Sequence, residues 1–171
     1  MTYRDAPETN IPDFKQADPR WRDIIYSSHG DAGQTIYNGG CALCALANVL
    51  SGLVGDVSPP ELIPLALKLG DVAWTGGTYR AFYLDITQFY PVTVARSENL
   101  DDATACLDAG GLVIVSMDHH AHTLYAHTGD DYWLFNSAWS DPLLSQIMGH
   151  MTYDRLFGKA AVYYCYQRSM P

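Results

Sequence analysis

One cysteine of the chain stands where a nucleophile would be placed. Cys41 follows Gly39 and Gly40 and opens the apolar run CALCALANVLSG, which predicts a buried helix of about 10–12 residues. The start of a helix presents unpaired amide donors and a partial positive charge, which lower the pKa of a thiol and favour the nucleophilic thiolate. The two glycines leave room for a ligand to approach the backbone. The sequence therefore makes Cys41 a candidate catalytic nucleophile.

A thiolate nucleophile needs a partner that transfers protons, and four of the six histidines fall within nine residues. They are His119, His120, His122 and His127. Residues 121–127 and 131–136 alternate like strands and are joined by a Gly-Asp-Asp turn, so they predict a hairpin. In such a hairpin His122 lies opposite Asn136, close enough for the amide to orient the imidazole.

The remaining elements follow from helix signals in the first half and strand signals in the second. Ser58 and Glu61 form a capping box for a second helix, and further helices are predicted over about 78–90 and 99–109. The first of these carries an aromatic stripe from Tyr79 to Tyr90, which we expect in the core. The predicted strands cover residues 112–116, 121–127, 131–136 and 159–166. Helices followed by strands predict an α+β fold, in which the Cys41 helix packs on an antiparallel sheet.

No stretch of the sequence is long and polar enough to separate two folding units. We therefore expect one domain over residues 1–171, with residues 1–10 as a flexible lead-in.

The order of the motifs resembles a known family. The segments IPDFKQADPRW, TIYNGGCALCALANVLSG, SPPEL, GGTYRAF, GGLVIVS, a strand that starts with histidine, and YWLFNSAWSDP occur in that order between residues 11 and 141. In this order they resemble the papain-fold cysteine peptidases, specifically the bacteriocin-processing, double-glycine peptidase-like branch. The resemblance implies a papain-like fold and hydrolysis of a peptide or amide bond without a cofactor. It also implies site roles: Cys41 as nucleophile, His122 as base, Asn136 as the orienting residue and Gln16 as the oxyanion donor.

Two of these assignments have rivals in the sequence. The family base commonly follows a glycine and precedes the next glycine by six residues, whereas His122 follows an alanine and precedes Gly129 by seven. His120 is therefore the alternative base. Papain places its oxyanion glutamine six residues before the cysteine, and Gln34, seven residues before Cys41, competes with Gln16.

The nucleophile motif itself also departs from the family. Members commonly read Gly-Cys-Gly-Pro-Thr, whereas this chain reads Gly-Cys-Ala-Leu-Cys. Cys44 lies one helical turn beyond Cys41, so we expect it to pack beneath the nucleophile. Cys106 and Cys165 stand in apolar segments and are expected to be packing residues.

Three other functions fit parts of the sequence. Cys41 and Cys44 form a CxxC pair, but no strand precedes it as in thioredoxin-like redox proteins. The same cysteines with two histidines offer a zinc site, although no second ligand pair has the usual spacing. A catalytically silent papain-fold binding module is the main alternative to the peptidase.

The amino-acid composition limits the classes of partner that we expect the protein to bind. Ten Lys and Arg against 19 Asp and Glu give a net charge of −9 without a basic run, which disfavours nucleic acid or an anionic membrane as a partner. No apolar run approaches a membrane span, and the first residues lack a signal peptide, so we expect a soluble protein, cytoplasmic or released by another route. By the resemblance, the substrate is a peptide or a peptidoglycan-type peptide, as for the catalytic module of a phage-type wall lysin.

Overall fold

An antiparallel sheet organises the described part of the chain, which in this computed structural model comprises residues 6–74, 76–117, 119–138, 150–152 and 161–170. The helices are α1 (Ile36–Gly39), α2 (Cys41–Leu53), α3 (Ile63–Leu69), α4 (Phe82–Asp85) and α5 (Leu100–Asp108). The strands are β1 (Val92–Ser97), β2 (Leu112–Met117), β3 (His120–Thr128), β4 (Asp131–Asn136), β5 (His150–Thr152) and β6 (Val162–Arg168).

The six strands run in the order β1-β6-β2-β3-β4-β5, and each neighbouring pair is antiparallel. Alternate residues of β2 face opposite sides of the sheet. Leu112 and Ile114 pack in the core that contains α2, whereas Val113 and Val115 pack in the core that contains α5. The predicted α+β architecture, with the Cys41 helix on an antiparallel sheet, is confirmed.

Helix α2 is buried along most of its length because nine consecutive residues, 42–50, face neighbouring elements on every side. Its one buried polar side chain, Asn48, accepts a hydrogen bond from the Phe14 N–H at 3.0 Å. From β3, the Thr123 hydroxyl donates to the Ala45 carbonyl at 3.1 Å. These bonds fix α2 between the N-terminal segment and β3, so the helix start has a defined position relative to the sheet.

Capping interactions begin two other helical segments, and the capping box predicted at Ser58 and Glu61 is confirmed. The Ser58 N–H donates to Glu61 Oε2 at 2.7 Å and completes the capping box of a short 3₁₀ turn that leads into α3. Pro64 lies in the first turn of α3, where its missing N–H costs nothing. The Asn99 side chain caps α5 by accepting from the Asp101 N–H at 3.0 Å.

The helix predicted over residues 78–90 is wrong in its first part. Helical structure begins only at Phe82, with α4 and then a 3₁₀ turn, because Thr78 instead pairs with Val72 in an antiparallel bridge. The Tyr79 N–H donates to the Asp71 carbonyl at 2.7 Å and continues this ladder. Residues 71–74 and 76–80, called the cleft loop below, thus lie beside the sheet instead of continuing the helix. Tyr79 is exposed, although its place in the aromatic stripe predicted a core residue.

The predicted strands appear as β2, β3, β4 and β6; β4 has the predicted ends, whereas those of β2, β3 and β6 differ. Strand β6 begins at Val162 in the described residues. The predicted start of this strand, at residues 159 and 160, lies outside the described residues. Residues 1–5 of the predicted lead-in also lie outside them. Helix α1 and strands β1 and β5 were not predicted. Among the described helices, none has the length and apolar character that crossing a membrane requires.

Candidate active site

A cleft of about 430 Å³ opens at the N-terminal end of α2. Its walls come from the residues before and within α2, from the cleft loop, and from the turn between β2 and β3. The lining residues are Asn38, Gly39, Cys41, Ala42, Ala73, Gly76, Gly77, Thr78, Arg80, Tyr83, Ser116, Met117, His119, His120 and Ala121. Cys41, the predicted nucleophile, and His120, the alternative base, therefore share one cleft.

Glycines let the cleft loop approach the start of α2. A Cβ atom on Gly39 would lie 2.7 Å from the backbone nitrogen of Gly77, closer than side chains tolerate. Gly77 itself has a φ of 91°, in the region that favours glycine. Substituting either residue would push the loop away from Cys41 and widen the cleft.

The Cys41 thiol lies half-buried at the first residue of α2. Burial raises its pKa, while hydrogen bonds from the backbone N–H groups of Ala121, Ala42 and Cys41 itself lower it. Burial is the larger effect, so the predicted lowering of the thiol pKa by the helix start is wrong in net direction. Cys44 is fully buried in the core, as predicted, and burial raises its pKa as well.

His120 is held by Asn136. Its Nε2 lies 2.9 Å from Asn136 Oδ1, which also accepts the backbone N–H of Ala138 at 3.1 Å. Because a backbone N–H can only donate, the second bond identifies the Asn136 atom as oxygen, and Nε2 of His120 must donate to it. In the neutral ring, Nδ1 then carries the lone pair. Burial lowers the pKa of His120, and the bond to Asn136 acts in the opposite direction.

His122 lies opposite Asn136 in the ladder between β3 and β4, and this predicted register is confirmed. Its side chain is only 5% exposed and does not line the cleft. The ring centroids of His120 and His122 are 4.6 Å apart in an edge-to-face arrangement. His122 therefore packs behind His120, one pleat further along the same face of β3.

The two other clustered histidines occupy different places. His119 lies in the tight turn between β2 and β3, has a φ of 61°, and is exposed at the rim of the cleft. His127 lies at the far end of β3, where its Nε2 is 2.8 Å from a carboxylate oxygen of Asp108. The structure thus separates His127 from the cleft.

Gln16 connects two segments behind the cleft. Its Nε2 donates to the carbonyl oxygens of Ile36 and Tyr37, at 3.2 and 3.0 Å, and its Oε1 accepts from the Ser137 hydroxyl at 3.1 Å. Both amide hydrogens are used in these bonds. Gln16 is 7% exposed and is not a lining residue of the cleft.

The rival glutamine, Gln34, lies nearer to the cleft. Its Oε1 would be 2.5 Å from a Cβ built on Gly76, a residue of the cleft wall. The sequence separation from Cys41 did not distinguish Gln34 from Gln16.

The cysteines and histidines are not arranged as a metal centre in the described part of the chain. No three His, Cys, Asp or Glu side chains converge there in a way that could hold a metal ion. Cys44 is buried in the core, whereas His120 lines the cleft and His122 lies behind it. The ligands of the alternative zinc site therefore do not come together among the described residues.

The comparisons with known proteins bear on the fold. No family model and no curated protein matches the sequence. Among solved structures, the chain is similar to the crystal structure of a "putative C39-like peptidase" from Bacillus anthracis, with a TM-score of 0.53 and 11% sequence identity. The match covers 94% of this chain and 96% of that one. The chain therefore has an α+β, papain-like fold of the kind found in C39-like peptidases.

Proposed function

We propose that the protein is a cysteine peptidase or amidase, in which Cys41 attacks the carbonyl of a peptide or amide bond. One observation carries the proposal: Cys41 opens α2 in the same cleft as His120, and the Nε2 of that imidazole is held by Asn136. A cysteine, an imidazole and an orienting amide are the groups that thiol-dependent acyl transfer requires.

The protonation states of Cys41 and His120 indicate how the reaction starts. Burial raises the pKa of Cys41 and lowers that of His120, so both groups are neutral at rest near pH 7. His120 Nδ1 accepts the thiol proton as the sulfur bonds to the carbonyl carbon. The backbone N–H of Cys41, at the start of α2, stabilises the oxyanion that forms.

The second half of the reaction reverses the proton transfers. The His120 imidazolium protonates the leaving amine as the C–N bond breaks, which leaves an acyl thioester on Cys41. His120 then takes a proton from water as its oxygen attacks the thioester. As the C–S bond breaks, the carboxylic acid is released and the His120 imidazolium returns its proton to the Cys41 sulfur. Water is the co-reactant that balances these steps.

We favour His120 over His122 as the base. His120 lines the cleft and is half-buried, whereas His122 is buried behind it. The family resemblance assigns the base to His122, and that residue also faces Asn136 in the ladder. The bond from His120 to Asn136 Oδ1 gives His120 the orientation that the resemblance attributes to His122.

Gln16 is proposed as a positioning residue rather than as the oxyanion donor. Its amide hydrogens hold the carbonyls of Ile36 and Tyr37, directly before α2, and its oxygen holds Ser137, directly after Asn136. It thereby connects the segment that leads to the nucleophile with the segment that carries the orienting amide. Donation to an oxyanion would require these bonds to break.

Peptides, including bacterial cell-wall peptides, are the proposed substrate class. The support is the resemblance of the motifs together with the peptidase-like fold. The test is to incubate the protein with a defined pool of peptides and with peptides released from purified bacterial cell wall, and to identify products by mass spectrometry. Cys41→Ser should abolish hydrolysis, while Cys165→Ser, with its thiol on β6 outside the cleft, should retain it.

Circular dichroism melts would verify that both variants fold. Cleavage that persists in Cys41→Ser would contradict the proposal. Binding of a peptide without cleavage would instead support the second candidate, a catalytically silent binding module. The rise in the Cys41 pKa on burial is the observation that favours that candidate.

A further inference from the structure

One cation stands among the residues that line the cleft. Of the described lining residues, Arg80 alone is charged at neutral pH, and no Asp, Glu or Lys accompanies it. The whole chain carries a net charge of −9. Among the described lining residues the Arg80 guanidinium is therefore a positive charge in a molecule whose net charge is negative.

Arg80 differs from three other arginines of the chain in its surroundings, and shares with Arg168 on β6 the lack of a carboxylate partner among the described residues. Arg20, Arg22 and Arg96 each lie within 4 Å of a neighbouring carboxylate, on Asp18, Asp23 and Glu98. No such ion pair of Arg80 occurs among the described residues. Arg80 is exposed and lines the cleft, and its guanidinium carries five N–H donors.

The nearest acid of the cleft loop does not neutralise Arg80. Asp71 is 6% exposed, and burial, followed by the charge of Asp85, raises its pKa. Arg80 is not among the groups that act on Asp71. The charge of Arg80 is therefore available to a ligand.

Arg80 and the nucleophile, Cys41, both affect the pKa of Tyr83. The Tyr83 phenol is buried in the cleft wall, and its pKa is raised first by burial and also by Cys41, whereas Arg80 lowers it. One phenol thus lies within electrostatic range of both side chains. A ligand group at Arg80 would bind close to the bond that Cys41 attacks.

We propose that Arg80 is a binding subsite for a carboxylate of the substrate, either an acidic side chain or a terminal α-carboxylate next to the scissile bond. This inference rests on the proposed function, whose substrate class it specifies. A guanidinium binds a carboxylate through two parallel hydrogen bonds, which gives both orientation and selectivity. Because the net charge of the protein repels anions, the subsite would decide whether an acidic peptide is accepted.

The test measures binding and does not depend on turnover. The protein carries Cys41→Ala, so no peptide is consumed, and titration calorimetry compares Ac-Gly-Ala-Glu-Ala-Gly-NH2 with its Gln counterpart. A second pair, Ac-Gly-Ala-Ala with a free or an amidated C-terminus, separates a terminal carboxylate from a side-chain carboxylate. Small residues elsewhere in the peptides limit other contacts. Arg80→Gln is compared with Arg96→Gln, whose arginine lies on β1, three strands away from β3.

We expect the acidic member of at least one pair to bind about two- to fivefold more tightly, the range that one solvent-accessible ion pair contributes. Arg80→Gln should remove this preference, and Arg96→Gln should keep it. Equal binding within both pairs, no binding of any peptide, or a preference that survives Arg80→Gln would overturn the subsite. If the preference holds but the protein with Cys41 intact cleaves no peptide, the subsite stands and the proposed peptidase function fails.

Discussion

Asn136 is the ladder partner of His122, yet its side-chain oxygen accepts the hydrogen bond of His120, at 2.9 Å. The strand register therefore brings the amide to the histidine pair, and the side chains determine which ring it orients. Since Oδ1 also accepts from Ala138, the amide is fixed from both sides. The consequence is that the neutral His120 ring carries its lone pair on Nδ1, as a base must have.

The first prediction separates the two histidines. His120→Gln should lower kcat by about 10²–10⁴-fold, the usual contribution of a general base, because it removes the imidazole from the cleft. His122→Gln should lower kcat much less, since His122 lies behind the cleft wall. Steady-state kinetics on a cleaved peptide measure both values. A larger loss for His122→Gln would identify His122 as the base.

The second prediction concerns the acid limb of the pH profile. The hydrogen bond to Asn136 raises the pKa of His120 against the larger lowering by burial. Asn136→Ala removes this bond, so the pKa should fall further and the neutral, active ring should persist to lower pH. The plot of kcat/KM against pH should show its acid limb shifted to lower pH, together with a reduced maximum. A shift to higher pH would contradict the assigned contact.

The third prediction follows from the buried thiol. Because burial raises the pKa of Cys41 above its ordinary value of 9.0, alkylation by iodoacetamide should be slow at pH 6 and rise with a midpoint above pH 9. Glutathione, labelled in parallel, supplies the reference midpoint of an unburied thiol. Peptide mapping assigns the adduct to Cys41. Rapid labelling of Cys41 at pH 6 would mean that a thiolate already exists at rest.

The fourth prediction distinguishes positioning from oxyanion donation. Gln16→Ala should lower the free energy of unfolding by about 2 kcal/mol, because it removes the three hydrogen bonds of a buried side chain and leaves the buried Ser137 hydroxyl without its acceptor. Gln88→Ala, at an exposed glutamine, is the matched control and should change stability little. Urea denaturation measures both changes. Unchanged stability with a kcat loss of 10²-fold or more would restore Gln16 as the oxyanion donor.

Local signals account for the parts of the fold that were predicted correctly. The capping box of Ser58 and Glu61 and the apolar run after Cys41 lie within their own helical segments, so the sequence contains what determines them. The hairpin between β3 and β4 is equally local, because its turn joins strands of matching alternation.

Longer-range contacts decided the remaining parts. Thr78 is not helical because it pairs with Val72 in an antiparallel bridge. The helical spacing of the aromatic residues does not reveal this contact. Strand β1 has weak signals of its own and depends on pairing with β6, some 70 residues later. The choice between His120 and His122 depends on which side chain reaches Asn136, and two residues on one face of a strand look alike in sequence.

The most direct measurement is covalent capture of the nucleophile. A peptidyl vinyl sulfone, which reacts with an activated thiol, is incubated with the protein at pH 7.5, and the adduct is located by peptide mapping. The account predicts one equivalent of reagent on Cys41, formed at least tenfold more slowly in His120→Gln. An adduct on Cys44, Cys106 or Cys165, or capture at an unchanged rate in His120→Gln, would contradict it.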